Sequence, residues 1–280
     1  MPSFDTPEPI SVTAYVYAGS IRFTADDRCD TVVDVRPRDP RKDQDVRTAE
    51  QTEVAYVGGI LTVTTPKASL LGRGGTVDVT VGLPTGSRVD MTGAGVSVLG
   101  DGRLGEVRVK TSAGDARLGT TGPLKLTVSH GSVTVDRVEG MAEITSSTGN
   151  VRVGTVDGPA VLKNSNGTTA VGTVTGELRV HGANGGIDIA RAEASVTGTT
   201  TNGHLRIAEV ASGSVQLETS NGSIEIGVRE GTVAWLDVSS NRGQVRNTLA
   251  ASEAPERTED TVTVRARTNW GNIDILRAKA

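Results

Sequence analysis

The sequence predicts an all-β protein, a single-stranded parallel β-helix (β-solenoid) with coils of roughly 18 residues. Three observations support this prediction. A glycine followed by alternating polar and apolar residues recurs at a nearly constant spacing. One strand-like segment precedes each of these glycines and another follows it. No segment shows the 3.6-residue apolar period of an amphipathic helix. Aromatic residues make up only 2% of the 280 residues, so small aliphatic side chains must fill the interior.

The repeated glycine marks one corner of each predicted coil. It recurs at intervals of 17 to 19 residues and then, near the C-terminus, of 21 and 28 residues. A period of this length accommodates two short strands and two turns, which make one coil of a solenoid. The positions are Gly114, Gly131, Gly149, Gly167, Gly185, Gly203, Gly222, Gly243 and Gly271.

The apolar pattern around the glycine predicts two strands per coil. Apolar residues lie two and four positions after it, as at Val151 and Val153, and seven and five positions before it, as at Ala142 and Ile144. Such period-two alternation is typical of strands with one buried face. An antiparallel meander is the alternative, because Asn-Gly also favours hairpins, but a meander would leave its apolar face uncovered.

The two corners of the predicted coil differ in sequence. One is Val-x-Gly, with an inward-pointing valine at Val138, Val156 and Val174. The other is Asn-Gly, where we expect asparagine and glycine to provide positive φ angles. The asparagines should also form a ladder of amides that hydrogen-bond between coils. Its members are Asn166, Asn184, Asn202 and Asn221.

An outward column three residues after the repeated glycine nearly alternates in charge. Equivalent residues of stacked coils lie about 4.8 Å apart, so the column predicts a ladder of opposite charges between neighbouring coils. In chain order its members are Arg152, Ala170, Asp188, Arg206, Glu225, Arg246 and Asp274.

We expect a single solenoid domain over residues 1–280, because the pattern continues more loosely into the first third of the chain. Residues 1–90 are predicted as irregular coils and an N-terminal cap, 91–230 as regular repeats, and 231–280 as irregular coils and a C-terminal cap that includes Trp235 and Trp270. Two polar insertions, 36–53 and 248–260, are predicted as exposed loops or looser coils.

Charge and composition exclude some classes of partner. The formal net charge of −4 offers no basic field for nucleic acid, and acids neutralise the one basic run, Arg36 to Lys42. The only cysteine, Cys29, is expected to be a small buried or half-buried apolar residue. No segment has the length and hydrophobicity of a membrane span or signal peptide, so we expect a cytoplasmic protein, with the cell surface as the alternative.

Several segments resemble a bacterial family of β-strand-repeat proteins known as putative adhesins, a domain of unknown function. The segments are Pro7-Glu8-Pro9-Ile10, residues 30–37 (DTVVDVRP), Gly58-Gly59, residues 83–87 (LPTGS) and the Asn-Gly repeats. The resemblance covers nearly the full length and implies a right-handed parallel β-helix. Parallel crossovers have the same right-handed preference.

No residues are predicted to form a catalytic, cofactor-binding or metal site. His130, His181 and His204 occupy different register positions, as do Asp136 and Asp157 among the acids. A metal or carbohydrate-cleaving site needs its ligands or carboxylates on one face in adjacent coils. The glycine-rich run 72–75 is not followed by a helix, so it is predicted as a turn and not as a phosphate loop.

These observations favour a non-enzymatic structural or interaction scaffold without a cofactor. Its partner would be an unknown protein or a second copy of the chain, because repeats create extended binding surfaces. The alternative is an adhesin-like or carbohydrate-binding surface module, which rests on analogy of fold. A third hypothesis is a β-helix polysaccharide lyase or hydrolase, which requires an acidic groove on the outward face.

Overall fold

The computed structural model describes residues 2–66, 74–249 and 261–278. These residues contain 25 strands and one short helix, so the predicted all-β class is confirmed. The helix is too short to cross a membrane, and the described part of the chain contains no other. The chain forms two compact units, residues 1–139 (unit 1) and residues 140–280 (unit 2).

Unit 1 begins with strands that cap its coils and continues into regular repeats. Its elements are β1 Ser3–Asp5, β2 Ser11–Asp26, β3 Asp30–Pro37, α1 Asp43–Glu50, β4 Glu53–Val57, β5 Ile60–Thr64, β6 Val77–Pro84, β7 Arg88–Leu104, β8 Val107–Ala113, β9 Ala116–Thr121, β10 Leu124–His130 and β11 Val133–Val138.

The order of strands in unit 1 differs from their order in the sequence. The long strand β2 pairs in parallel with β5 and β6 along one edge and with β7 along the other. Beyond β7, strands β8 and β9 both pair in parallel with β7, and β10 and β11 then pair in parallel with β8 and β9, respectively. On the far side, β4 pairs antiparallel with β5, and β3 pairs antiparallel with β6. An early segment of the chain therefore inserts between later coils.

Unit 2 consists of two strands per coil. Its elements are β12 Ala142–Thr148, β13 Val151–Val156, β14 Ala160–Asn166, β15 Thr169–Val174, β16 Leu178–Asn184, β17 Ile187–Ala192, β18 Val196–Asn202, β19 Leu205–Val210, β20 Gly213–Asn221, β21 Ile224–Val228, β22 Val233–Arg242, β23 Val245–Asn247, β24 Thr261–Trp270 and β25 Ile273–Arg277.

The first five coils of unit 2 stack in chain order with the predicted register. Strand β12 pairs in parallel with β14, β14 with β16, β16 with β18, and β18 with β20. Equivalent residues, such as Ile144, Leu162 and Val180, lie beside each other and are at most 1% exposed. Each such side chain contributes about 1.5–3 kcal/mol of burial free energy. The parallel β-solenoid with 18-residue coils is therefore confirmed.

The last two coils of unit 2 stack in the reverse of chain order. Strand β24 pairs in parallel with β20 on one edge and with β22 on the other, and β25 likewise lies between β21 and β23. The predicted alternation of charge is wrong at this point, because Glu225 faces Asp274 and not Arg246. A repeat pattern identifies the strands but not which neighbour each one takes.

The Val-x-Gly corners are as predicted, whereas the Asn-Gly corners differ in backbone. Val138, Val156 and Val174 are fully buried at the ends of their strands. At the other corner the described asparagines have ordinary φ angles, and the glycines alone take positive values, such as 140° at Gly185. A Cβ at Gly185 would lie 2.1 Å from the carbonyl oxygen of Gly167, so close stacking also requires glycine there.

A largely polar, buried column lies three residues before the corner glycines, interrupted by Val128 and Gly182, and the sequence analysis did not identify it. Thr219 Oγ1 donates a hydrogen bond to the carbonyl oxygen of Gly203 in the adjoining coil, at 3.1 Å. Thr268 Oγ1 donates likewise to Gly222, at 2.9 Å. These two hydroxyls therefore bond to carbonyl groups of the adjoining coil, whereas Ser146 Oγ is buried without a described hydrogen-bond partner. The buried members are Thr111, Ser146, Asn164, Thr200, Thr219 and Thr268.

The insertion 36–53 contains a helix, so its prediction as a loop or coil is wrong. Helix α1 is held by Asp45, which is 4% exposed. Its carboxylate accepts hydrogen bonds from Thr76 N at 2.8 Å, Thr76 Oγ1 at 3.0 Å and Asp39 N at 3.2 Å. Burial raises the pKa of Asp45, but these hydrogen bonds and nearby Lys42 outweigh it and hold the pKa below its ordinary value.

The remaining structural predictions have different outcomes. Cys29 is exposed and not buried, because it lies in the turn between β2 and β3, outside the alternating columns. Most of the predicted loop 248–260 and part of the glycine-rich run 72–75 lie outside the described residues. The prediction of one domain over 1–280 stays a prediction.

Candidate interaction edges

The three histidines lie on different strands or turns, and two of them, His181 and His204, contact surface side chains. His204 Nε2 lies 3.0 Å from Asp188 Oδ2, His181 Nδ1 lies 2.8 Å from Thr199 Oγ1, and His130 is exposed at the end of β10. In the described ranges, no group of three or more His, Cys, Asp or Glu residues is arranged to hold a metal ion.

Two half-buried acidic residues of unit 2, Glu193 and Glu209, belong to an ion-pair cluster. Arg229 donates hydrogen bonds to Glu193 at 2.8 Å and to Glu209 at 2.5 Å, and Arg191 lies 3.1 Å from Glu209. The hydrogen bond from Arg229 lowers the pKa of Glu209, and the bonds to Glu193 and Glu209 raise the pKa of Arg229. The lowered pKa of Glu209 and its contacts with two arginines make this carboxylate unsuited to transfer a proton.

The asparagine ladder is present on the surface of unit 2. Asn184 Nδ2 donates to Asn166 Oδ1, Asn202 to Asn184, and Asn221 to Asn202, each at 2.9 Å. All four asparagines are exposed. In the next two coils of the stack, Trp270 and Arg242 take the equivalent positions. The guanidinium of Arg242 lies 4.3 Å from the centroid of the Trp270 ring, a cation–π contact that ends the column.

Strand β22 presents an open edge at this end of the stack. It pairs with β24 along one edge, and no described residue pairs with the other. Its inward side chains Leu236 and Val238 are only half-buried, whereas the equivalent Val264 and Ala266 of β24 are 0% exposed. On its outward face, Trp235 is 60% exposed. Among the residues that the structure describes, the backbone groups and the apolar residues of β22 therefore lack the second neighbour that β24 has.

The strands at this end carry an excess of positive charge. Strands β22 to β25 contain five arginines and two aspartates, a net charge of +3 against −4 for the whole chain. Asp237 is already engaged by Arg265 at 3.0 Å and Arg267 at 3.3 Å. Arg242 contacts Trp270, and Arg246 donates a hydrogen bond to Gln244 at 3.0 Å. Arg242 and Arg246 therefore have no described carboxylate partner at the open edge.

Strand β4 forms a second open edge, in unit 1. It pairs only with β5 among the residues that the structure describes. Its side chains Val54 and Tyr56 are half-buried, and Val57 is 75% exposed. The ring of Tyr56 contacts Phe4 of β1, with centroids 5.3 Å apart. The capping elements β1, β3, α1 and β4, together with the loop 38–42 between β3 and α1, contain eight acids and five basic residues, a net charge of −3.

An apolar groove of about 660 Å³ lies beside β2 in unit 1. Tyr15 and Tyr17 line one side, with Pro66, Gly93 and Ala94 on the others. The volume suits a small ligand, but no charged residue is among its described lining, and specific ligand sites usually combine apolar walls with converging polar groups. The groove does not define a reaction or a ligand class.

A family comparison is consistent with this architecture. The model of the family described as Toastrack DUF4097 matches residues 33–276, which is most of the chain. The chain belongs to the Toastrack family. The Toastrack match includes the coils of both units and the open edges at β4 and β22. The resemblance to a family of unknown function is thereby confirmed.

Several solved structures are similar to this Toastrack chain at low identity. A putative adhesin from Bacteroides fragilis is 15% identical, with a TM-score of 0.35 over 98% of this chain and 95% of its own. A putative adhesin from Parabacteroides distasonis is 10% identical with the same TM-score and the same coverage of both chains. A putative cell adhesion protein from Clostridium sporogenes is 11% identical, with a TM-score of 0.22 over 99% and 98% of the two chains. A search of curated proteins finds no match.

Proposed function

We propose that this Toastrack protein is a non-enzymatic scaffold that binds another polypeptide by strand addition at the outer edge of β22. The observation that carries the proposal is the half-burial of Leu236 and Val238 beside an open strand edge. An added strand would satisfy the edge backbone groups and cover both side chains. Trp235 would supply an aromatic contact on the outward face.

The contrast with the remaining surface supports a binding role over a catalytic one. The described carboxylates of the Arg229 cluster are engaged in ion pairs, and the histidines contact single neighbours on different coils. Catalysis on a β-helix needs reactive groups that converge on one outward face. Reproducible lyase or hydrolase activity of the purified protein on polysaccharides would overturn the proposal. The cytoplasm remains our proposed location, which cell fractionation tests.

Site-specific photo-crosslinking in cells tests the proposed edge. Trp235 is replaced by p-benzoylphenylalanine, and in a control variant the same residue replaces Lys163, which is exposed on β14 between two paired strands. We expect a defined polypeptide to be crosslinked from position 235 and not from position 163. Equal labelling at the two positions, or no polypeptide product at position 235, would contradict strand addition at β22.

A further inference from the structure

We infer that the strand added to β22 comes from a second copy of this chain and that this copy contributes β4. The inference rests on the proposed function and specifies its partner. Both strands have one edge without a described partner, and both have half-buried inward side chains: Val54 and Tyr56 on β4, Leu236 and Val238 on β22. Pairing the two edges would satisfy the backbone of both strands and cover both sets of side chains.

Charge complementarity favours β4 as the occupant. The capping elements and the loop 38–42 carry a net charge of −3, with Glu53 on β4 itself and Glu50 three residues before it, whereas strands β22 to β25 carry +3. Arg242 and Arg246 are exposed at the β22 end and lack described carboxylate partners, so acidic side chains of an incoming β4 could pair with them. The opposite charges attract the two edges to each other and favour one orientation of the added strand.

The same charges disfavour the symmetric alternative, in which two β22 edges meet. That contact would bring the +3 strands of two copies together, and a register centred on Asp237 would also place like charges opposite each other. Strand β22 lacks the proline that commonly protects a free edge, and the one charged residue in its middle, Asp237, is already neutralised by Arg265 and Arg267.

A contact between two different edges has a consequence for assembly. Because β4 and β22 are distinct surfaces, two copies joined by one contact still present one free β4 edge on one copy and one free β22 edge on the other. Association is therefore heterologous, and it proceeds to a ring or an open chain of copies, not to a closed two-fold dimer.

Charge reversal with complementation tests the inference by sedimentation velocity of the full chain. One variant carries Arg242→Glu and Arg246→Glu, and the other carries Glu50→Lys and Glu53→Lys. We expect the unmodified protein to associate with increasing concentration and decreasing salt, and each variant alone to associate about tenfold more weakly. An equimolar mixture of the two variants should associate again, because each reversed edge then meets an edge of opposite charge.

A matched control and the contrary outcomes complete the experiment. The control variant carries Arg117→Glu and Arg152→Glu, the same charge change at exposed positions on strands that are paired along the coils, and it should associate like the unmodified protein. Absence of association in the unmodified protein, or failure of the mixture to recover it, would overturn the inference. Stronger association of the Arg242→Glu, Arg246→Glu variant alone would instead indicate contact between two β22 edges and overturn it too.

The crosslinking experiment separates this inference from the proposed function. If the polypeptide crosslinked from position 235 is a second copy, linked through β4, both are supported. A different polypeptide would support strand addition but overturn self-association, and no polypeptide at all would contradict the proposed function itself.

Discussion

Strands β24 and β22 are neighbours in one sheet, yet their side chains differ greatly in burial. Val264 and Ala266 of β24 are 0% exposed, because β20 and β22 flank them. Leu236 and Val238 of β22 occupy the equivalent positions and are half-buried, because β22 has a described neighbour on one side only. The two strands have the same alternation of apolar residues. Burial in this fold therefore depends on the coils on both sides of a strand.

This difference indicates how stability is distributed in unit 2. In a stacked repeat, each coil is stabilised mainly by contact with its two neighbours. A coil at an end has half of these contacts, so it should open more readily than an interior coil and gain more from a binding partner. Substitutions at interior positions should therefore destabilise the protein more than equivalent substitutions at or near the ends.

The largest effect is expected at an interior corner. Gly185→Ala should destabilise the protein by about 3–5 kcal/mol, because the residue has a positive φ of 140° and its Cβ would lie 2.1 Å from the Gly167 carbonyl oxygen. Gly231 precedes β22, has φ of 81° and would place its Cβ in open space, so Gly231→Ala should cost only about 1–2 kcal/mol. Urea unfolding measures both, and equal losses would contradict the role of close coil stacking.

Core truncation should be next in size. Leu162→Ala, on an interior strand at 1% exposure, should cost about 2–5 kcal/mol through lost burial and a residual cavity. Leu236→Ala on β22 should cost about 1 kcal/mol, since its side chain is half-buried and its site can relax into solvent. Both are measured by urea unfolding. A loss at Leu236 as large as at Leu162 would show that β22 is covered as completely as an interior strand.

The smallest effect concerns the capped end of unit 1. Asp45→Asn should destabilise the protein by about 1–3 kcal/mol at pH 7, because the charged acceptor of the Thr76 hydrogen bonds is lost. The folded-state pKa of Asp45 is lowered, so its stabilisation is present above the unfolded-state value and is lost as pH falls through the folded-state value. Urea unfolding from neutral to acid pH should show the difference between the two proteins shrinking with acidification. A difference that is constant with pH would contradict this assignment.

The regular coils could be predicted from sequence, because each residue type follows from a local requirement. The register from Ala142 to Asn221, the inward corner valines and the amide ladder depend on alternation and on an 18-residue spacing. The buried polar column also had a signal, since Thr200 and Thr219 each lie three residues before a corner glycine. The alternation of apolar residues does not distinguish a buried hydroxyl from an exposed one, so the sequence analysis did not identify this column.

The ends could not be predicted, because their strand order depends on long-range pairing. The alternation in β2 and β24 shows that they are strands, but it does not show that each inserts between two other coils. The open edge at β22 follows from that insertion, so it could not be identified from sequence alone. Helix α1 is short and polar, and its place is fixed by a single buried carboxylate, Asp45, and not by an apolar stripe.

Native-state hydrogen exchange, followed residue by residue, tests the central claim that β24 is an interior strand and β22 an open edge. The protein is kept dilute, so that association does not protect the edge. We predict slow exchange for the amides of β24, comparable with those of β20, and much faster exchange for alternate amides of β22, whose N–H groups point away from β24. Protection of all β22 amides at the level of β24 in the monomer would contradict the open edge and the binding role derived from it.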